Sequence, residues 1–332
     1  MIGNRGGDLP FPSLRRRVSP YETRQAQVIH QTPSLIKDIK KEASLLQNTV
    51  PNLHELTEQD IPGLIHLSTT VGWDYNEDEI RTILAIGTIY GHKNSDERLV
   101  SCAAVIPYDH KLTTIGMVIV HSSCRGMGLG RSLMKACMES VPSDSAIMLI
   151  ATREGKPLYE SLGFTTADTI HKFICKRIAP VDHEQAGESF PTEIMREDDL
   201  RAVIELDGLA VGSQRSSFLR TRMKQAKTCL VVNDTEGRIA GYGFAVQGPV
   251  NLVIGPIVAR NTPMAIHLLR RLSDGHDRQV RIDVPDGQNA FLSYLAANGF
   301  EKVSEPPVMI TRYSTLPPRS GQYYGIGAQI FG

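Results

Sequence analysis

The chain is written twice. Glu58-Gln59-Asp60-Ile61 opens an apolar-periodic helix carrying Leu64, Ile65 and Leu67, and Glu197-Asp198-Asp199-Leu200 opens another carrying Val203, Ile204 and Leu206, displaced by 139 residues. The YESLGF stretch at 159–164 returns as LAANGF at 295–300 with its Gly-Phe pair displaced by 136, and Arg125 returns as Arg260, displaced by 135. So steady a displacement means one supersecondary unit repeated, which restricts the fold to two copies of one domain. A length of 332 residues accommodates both. The stretch 179–191, polar and containing Pro and Gly, reads as a linker. The expected organisation is a mostly disordered arm over 1–48, a first domain over 50–178, the linker 179–191, and a second domain over 192–332.

Within the first copy, a short strand near 52–56 leads to helices at 58–69 and 76–86 and strands at 87–92 and 98–107. TTIGMVIV (113–120) and AIMLIAT (146–152) are β-branched, apolar runs between polar residues, the pattern of buried strands. A helix at 128–140 separates them. The GKPLYESLG helix ends at the C-cap candidate Gly163, and TIHKFICK (169–176) closes the copy as a strand. The fold class is α/β, an α+β arrangement around a mixed sheet.

Bulk properties exclude several roles. Lysine plus arginine equals aspartate plus glutamate at 36 each, so nothing in the overall charge favours nucleic acid. The Arg15-Arg16-Arg17 run in the arm is the local exception, and its binding would be steeply salt-dependent. Cys102, Cys124, Cys137, Cys175 and Cys229 form no CxxC pair and are odd in number, which argues against a disulfide framework or a zinc site and for a reducing interior. Cys124, beside a glycine-rich loop, reads as a small residue that fits there. No metal site, membrane span or secretory leader is expected. The expected compartment is the cytoplasm; the arm is Arg-rich like a mitochondrial presequence, but Asp8 and Glu22 count against that.

The glycine-rich loop is Arg125-Gly126-Met127-Gly128-Leu129-Gly130, followed by Arg131. A loop of this kind at a helix start presents free backbone N–H groups at the positive end of the helix dipole, and glycines let a phosphate approach closely. Arg125 adds charge-assisted bonds. The loop is not a Walker sequence, because no lysine follows Gly130, and its glycine spacing and late position in the copy are not those of a dinucleotide fold. From the residues alone, a phosphate cradle and a tight packing turn both remain open.

The loop resembles the R/Q-x-x-G-x-G/A segment of the GNAT acyl-CoA-dependent N-acetyltransferases. IGMVIVHSSCRGMGLGRSLM and ATREGKPLYESLGF flank it as in that family, over about 52–178. GYGFAVQGP, VIGPIVA, RIDVP and the closing GQYYGIGAQIFG resemble the C-terminal GNAT-like half (acetyltransferase domain 18 type) of YitH-type tandem proteins. The resemblance implies two tandem GNAT-like domains and acetyl-CoA as co-substrate. It also implies direct transfer of the acetyl group to an amine, on a small molecule or a protein, within a ternary complex. By the same resemblance, residues 125 to 131 grip the pyrophosphate. Met117, Val118, Ile119 and Val120 pair with pantetheine, with an amide near Val118 facing the thioester oxygen. Tyr159 protonates the leaving thiolate; its alternative is simple packing at the helix start. Trp73 and Asp74 fall at the acceptor pocket, where Asp74 reads equally as a helix cap.

Two departures from the family pattern matter. TTIGMVIV has no acid where many relatives place a base, which leaves Asp109, His110 and His121 as flanking candidates for the amine's proton. The second copy reads Arg260-Asn261-Thr262-Pro263-Met264-Ala265 at the loop, without the glycines and with a proline that removes a donor. Leu295 stands at the position of Tyr159, with Tyr294 one residue off. The second copy is therefore degenerate, a wall or packing partner for the first. Asp283 in RIDVP reads either as the partner of Arg281 or as a contact for a cationic substrate. The closing segment reads as docked, sealing the acceptor cleft or packing the second copy. The rival to an active enzyme is a CoA-binding sensor or interaction protein that keeps the fold.

Overall fold

The first half runs β1 (Asn52–Leu56), α1 (Ile61–Thr69), α2 (Glu77–Ile86), β2 (Thr88–Lys93), β3 (Leu99–Pro107), β4 (Leu112–Val120), α3 (Leu129–Glu139), β5 (Ala146–Ile150), α4 (Lys156–Glu160) and β6 (Thr165–Cys175). The second half repeats it as β7 (Thr192–Ile194), α5 (Leu200–Val211), α6 (Ser216–Gln225), β8 (Thr228–Asn233), β9 (Ile239–Gln247), β10 (Leu252–Ala259), α7 (Thr262–Ser273), β11 (Val280–Pro285), α8 (Asn289–Ala297), β12 (Glu301–Ser304) and β13 (Pro307–Thr311). It then adds β14 (Tyr323–Gly325). The computed structural model describes residues 52–109, 111–176 and 190–332. The arm expected over 1–48, the linker before Phe190, and His110 lie outside the described residues.

The helix starts follow local chemistry. A 3-10 turn before α1 is held by a capping box in which the Asp60 carboxylate accepts from the Thr57 amide at 2.9 Å. The Asn76 side chain caps α2, accepting from the Glu79 amide at 2.8 Å. Asp74 is thus not the cap and stays exposed in the loop before it.

The strands of the two halves join in one sheet, ordered β1-β2-β3-β4-β5-β13-β6-β11-β10-β9-β8-β7. The halves exchange strands where they meet. Second-half β13 lies between β5 and the start of β6, with Met309 opposite Leu149 and Val308 opposite Asp168. The later part of β6 leaves β13 and pairs with β11, Lys172 opposite Asp283. Each half therefore completes its sheet with a strand from the other, inside one compact unit, Thr49–Gly332. The sequence marked β6 as a strand over 169–176, but neither β13 nor this long-range pairing.

Three cores result. One lies on the α3 and α4 side of the first half, with Leu133, Met134, Ile147 and Phe164. One lies on the α7 and α8 side of the second, with Leu268, Leu269, Phe291 and Leu295. The third spans the halves, packing Leu64 and Ile83 of α1 and α2 with Val203 and Phe218 of α5 and α6, and with Ile330 and Phe331. No described helix is long and apolar enough to cross a membrane.

Candidate active site at a splayed strand pair

Strands β4 and β5 pair in parallel only from Leu112 opposite Ala146 to Thr114 opposite Met148. Beyond Thr114 the pairing with β5 stops, and the rest of β4 faces an open wedge. On its other side β4 stays with β3, but Cys102 faces Ile119 while Ala104 faces Gly116. Met117 and Val118 are thus set opposite Ala103 alone, a β-bulge, and Met117 takes φ 53°. The bulge changes which face the strand presents. Leu112, Met117 and Ile119 point to the shared core, while Ile115 and Val118 point to the α3 side. Gly116 and Met117 come out on the same face, toward the second half.

The glycine-rich loop sits at the mouth of this wedge. Gly126 and Gly128 have φ 81° and 80°, the left-handed region that glycine adopts without penalty. A Cβ at either would meet nothing within 4 Å, so their freedom serves a conformation open to solvent and not internal packing. Gly128 is the N-cap of α3 and supplies no side-chain cap. The first amides of the helix are left with their donors toward the loop. Arg125 is exposed and has no ion-pair partner among the described residues, while the Arg131 guanidinium donates to the Ser161 hydroxyl at 2.7 Å. An uncapped helix start, two open glycines and a free guanidinium fit a pyrophosphate.

Tyr159, on α4, is buried against Phe164 with ring centroids 6.1 Å apart, in the same core as Val118. Burial pushes its phenol up to about 12, so the group is a protonated donor at neutral pH. Its hydroxyl has no hydrogen-bond partner among the described residues.

On the other face of β4 a cavity of about 190 Å³ lies between the halves. Gly116 and the bulged Met117 form one side, and the α1–α2 loop brings Trp73, Asp74 and Tyr75. Lys172 of β6 lines the cavity together with Arg222 and Arg281 of the second half. The Arg222 guanidinium donates to Glu79, to the Gln225 side chain at 2.7 Å and to the Gly327 carbonyl at 2.8 Å. Asp283 does not line the cavity. It is 1% exposed behind Arg281, which donates to it at 2.6 Å. Of the two readings of Asp283 in the sequence, the structure has the Arg281 partner. Asp109 is taken up structurally, accepting from the Ser213 hydroxyl at 2.7 Å and the Gln214 amide at 2.9 Å. The His121 ring accepts from the Ser123 amide at 3.3 Å, at the start of the loop. Neither lines the cavity.

Two acetyltransferase (GNAT) domain models match the chain, over residues 87–166 and 203–325. An uncharacterized N-acetyltransferase of Bacillus subtilis (strain 168), YitH, is 32% identical over 286 residues, 86% of this chain and 100% of the relative. The chain belongs to the GNAT N-acetyltransferase family. Its fold also matches the crystal structure of a putative acetyltransferase from Pyrococcus horikoshii, at 19% identity and TM-score 0.72 over 86% of this chain and 98% of that one. A tandem GNAT protein from the clavulanic acid biosynthesis pathway aligns at 15% identity and TM-score 0.57 over 79% and 98% of the two chains.

The second GNAT half has the same strand splay, closed from within. Pairing of β10 with β11 ends at Ile254 opposite Ile282. There β14 enters the wedge, with Gly325 opposite Ile257 and Tyr323 opposite Val258. The Ala259 amide donates to the Gln322 carbonyl at 3.0 Å, and the Ile326 amide donates to the Asp283 carbonyl at 2.9 Å. The inserted segment thus satisfies backbone groups of both walls, the groups a pantetheine arm would otherwise meet. The Tyr324 hydroxyl reaches Thr262 at the start of α7, at 3.4 Å. Asn261 caps that helix, accepting from the Met264 amide at 3.0 Å, and Arg260 is paired with Asp234 at 2.8 Å. Each feature that leaves the first GNAT loop open is satisfied internally in the second.

The sequence pointed to the loop, Tyr159, Trp73 and Asp74. It missed Lys172 and Glu79. Lys172 carried a weak signal, a lone cation inside the apolar TIHKFIC run, but its place depends on the exchanged strand.

Proposed function

We propose that the first GNAT half binds acetyl-CoA and that the chain transfers its acetyl group directly to an amine held in the cavity between the halves. What supports this reading is the splay of β4 from β5 at an uncapped, glycine-opened helix start, beside a cavity on the opposite face of the same bulge. Arg125, Gly126, Met127, Gly128, Leu129, Gly130 and Arg131 would hold the pyrophosphate through backbone N–H groups and two guanidinium groups. Met117, Val118, Ile119 and Val120 would pair with the pantetheine arm. The co-substrate supplies an activated acetyl thioester.

The chain's own residues would do the rest. The bulge presents the Val118 amide to the thioester oxygen as a fixed donor. Tyr159, kept protonated by burial, gives its proton to the departing sulfur. Trp73 and Asp74 border the acceptor. An amine near pKa 10.4 is about one part in 2,500 neutral at pH 7, so its proton must leave to solvent water before attack. The half-buried Lys172 and Arg281 of the cavity wall favour that loss by disfavouring a second positive charge beside them.

The test is release of free CoA thiol, with mass-spectrometric detection of acetylated product, on incubating the chain and acetyl-CoA with a broad amine panel. Turnover that falls about a hundredfold in Tyr159→Phe supports the reading. Acetyl-CoA binding with no turnover on any amine would favour the rival, a CoA-binding interaction protein; the absence of an acid from β4 is the observation on its side.

A further inference from the structure

The cavity wall carries more positive charge than its own carboxylates neutralise. Arg222 is committed to Glu79, Gln225 and the Gly327 carbonyl. Arg281 has a single carboxylate partner, Asp283, through one terminal nitrogen, and its Nε is buried with no partner. Lys172 faces the same cavity from the neighbouring strand, opposite Asp283 in register, and makes no ion pair among the described residues. Asp74 is the remaining carboxylate on the lining, and it stands exposed at the rim, where water screens it. Lys172, Arg281 and Asp283 together carry one net positive charge on a half-buried wall, and Asp74, whose charge reaches both cations, offsets it only from the exposed rim. A net charge inside a site is costly to the fold and is found where a ligand completes it.

We propose that the acceptor is a small amine that also bears an anionic group, a carboxylate or a phosphate, received by Lys172 and by the spare donors of Arg281. This rests on the reading that the amine enters this cavity. The volume, about 190 Å³, admits a molecule of amino-acid size. Burial, and after it the neighbouring Arg281, lowers the Lys172 ammonium below its ordinary value, and an arriving anion offsets both by stabilising the charged form. The same anion anchors the molecule so that its amine is left to face the Met117 bulge.

The experiment is calorimetric titration of the full chain, saturated with CoA, with the twenty free L-amino acids and their primary amides. Phosphoethanolamine and ethanolamine form a second arm that separates carboxylate from phosphate. At least one acid binds tenfold to a hundredfold more tightly than its neutral counterpart, the margin of a hydrogen bond to a charged group. Lys172→Gln removes that margin and Lys172→Arg retains it. Neutral compounds binding as well as the acids, no acid binding at all, or a margin that survives Lys172→Gln would overturn the proposal. The same compounds are then assayed for acetylation. Lys172-dependent binding of an acid without turnover keeps the anion site and removes the acetyltransferase reading. Acetylation of neutral and acidic amines alike does the reverse.

Discussion

Ile330 packs onto Gly116: a Cβ at Gly116 would stand 2.7 Å from the Ile330 side chain and 3.1 Å from its Cα. Gly116 adjoins the β4 bulge of the first half, and Ile330 follows the strand that fills the wedge of the second. One segment therefore closes the degenerate slot and then forms a wall of the cavity beside the open one. The Thr114 hydroxyl donates to the Ile330 carbonyl at 3.0 Å and fixes the contact.

Gly116→Ala forces the backbone of this segment to move, because the obstacle includes a main-chain atom. We expect a loss of about 1–3 kcal/mol in unfolding free energy. We also expect a raised KM for the acceptor with acetyl-CoA affinity unchanged. Chemical denaturation and steady-state kinetics check the two effects separately.

Tyr159→Phe removes the proposed donor to sulfur while keeping the ring in its core. kcat is expected to fall by about a hundredfold, with little change in acetyl-CoA affinity. Burial raises the folded-state phenol to about 12 from 10.0, so its contribution to stability is full below pH 10 and is lost as pH rises through 12. No loss of activity near pH 10 should therefore depend on Tyr159, which a comparison of wild-type and Phe pH profiles measures.

Arg215 and Asp207 are a fully buried bidentate pair, with both bonds at 2.9 Å. Arg215 also donates to the Gly332 carbonyl at 2.9 Å, which ties the inserted segment to α5. Replacing Arg215 with Met strands the Asp207 carboxylate in the core and is expected to cost about 3–5 kcal/mol. Urea denaturation of the two chains gives that difference directly.

Asn261→Ala removes the cap of α7 and should cost about 1 kcal/mol. Acetyl-CoA binding should not change, since Arg260 stays tied to Asp234 and β14 stays in the wedge. Binding at a second site in this variant would show that the cap alone closes the second slot.

Much of the site was legible because its signals are local. The glycines at 126 and 128, the helix after them and Tyr159 all lie within a few dozen residues, and the lost glycines around Pro263 marked the second half as degenerate. What was not legible depends on strands far apart in the chain. Lys172 reaches the cavity only because β6 leaves β13 to pair with β11. The filling of the second wedge required knowing that Tyr323 would pair with Val258. The bulge at Met117 has no sequence signature beyond Gly116, and Asp74 was freed for the cavity only because Asn76 took the cap.

The central claim is one working cofactor site per chain, in the first half. Calorimetric titration of the full chain with acetyl-CoA, run beside Gly128→Glu, tests it most directly. The substitution places a negative side chain where nothing lies within 4 Å, so it blocks the ligand's space without displacing the core, and its left-handed backbone costs about 1–2 kcal/mol. The account predicts a stoichiometry of one, abolished in the variant. A stoichiometry of two, or one site that survives Gly128→Glu, would contradict it.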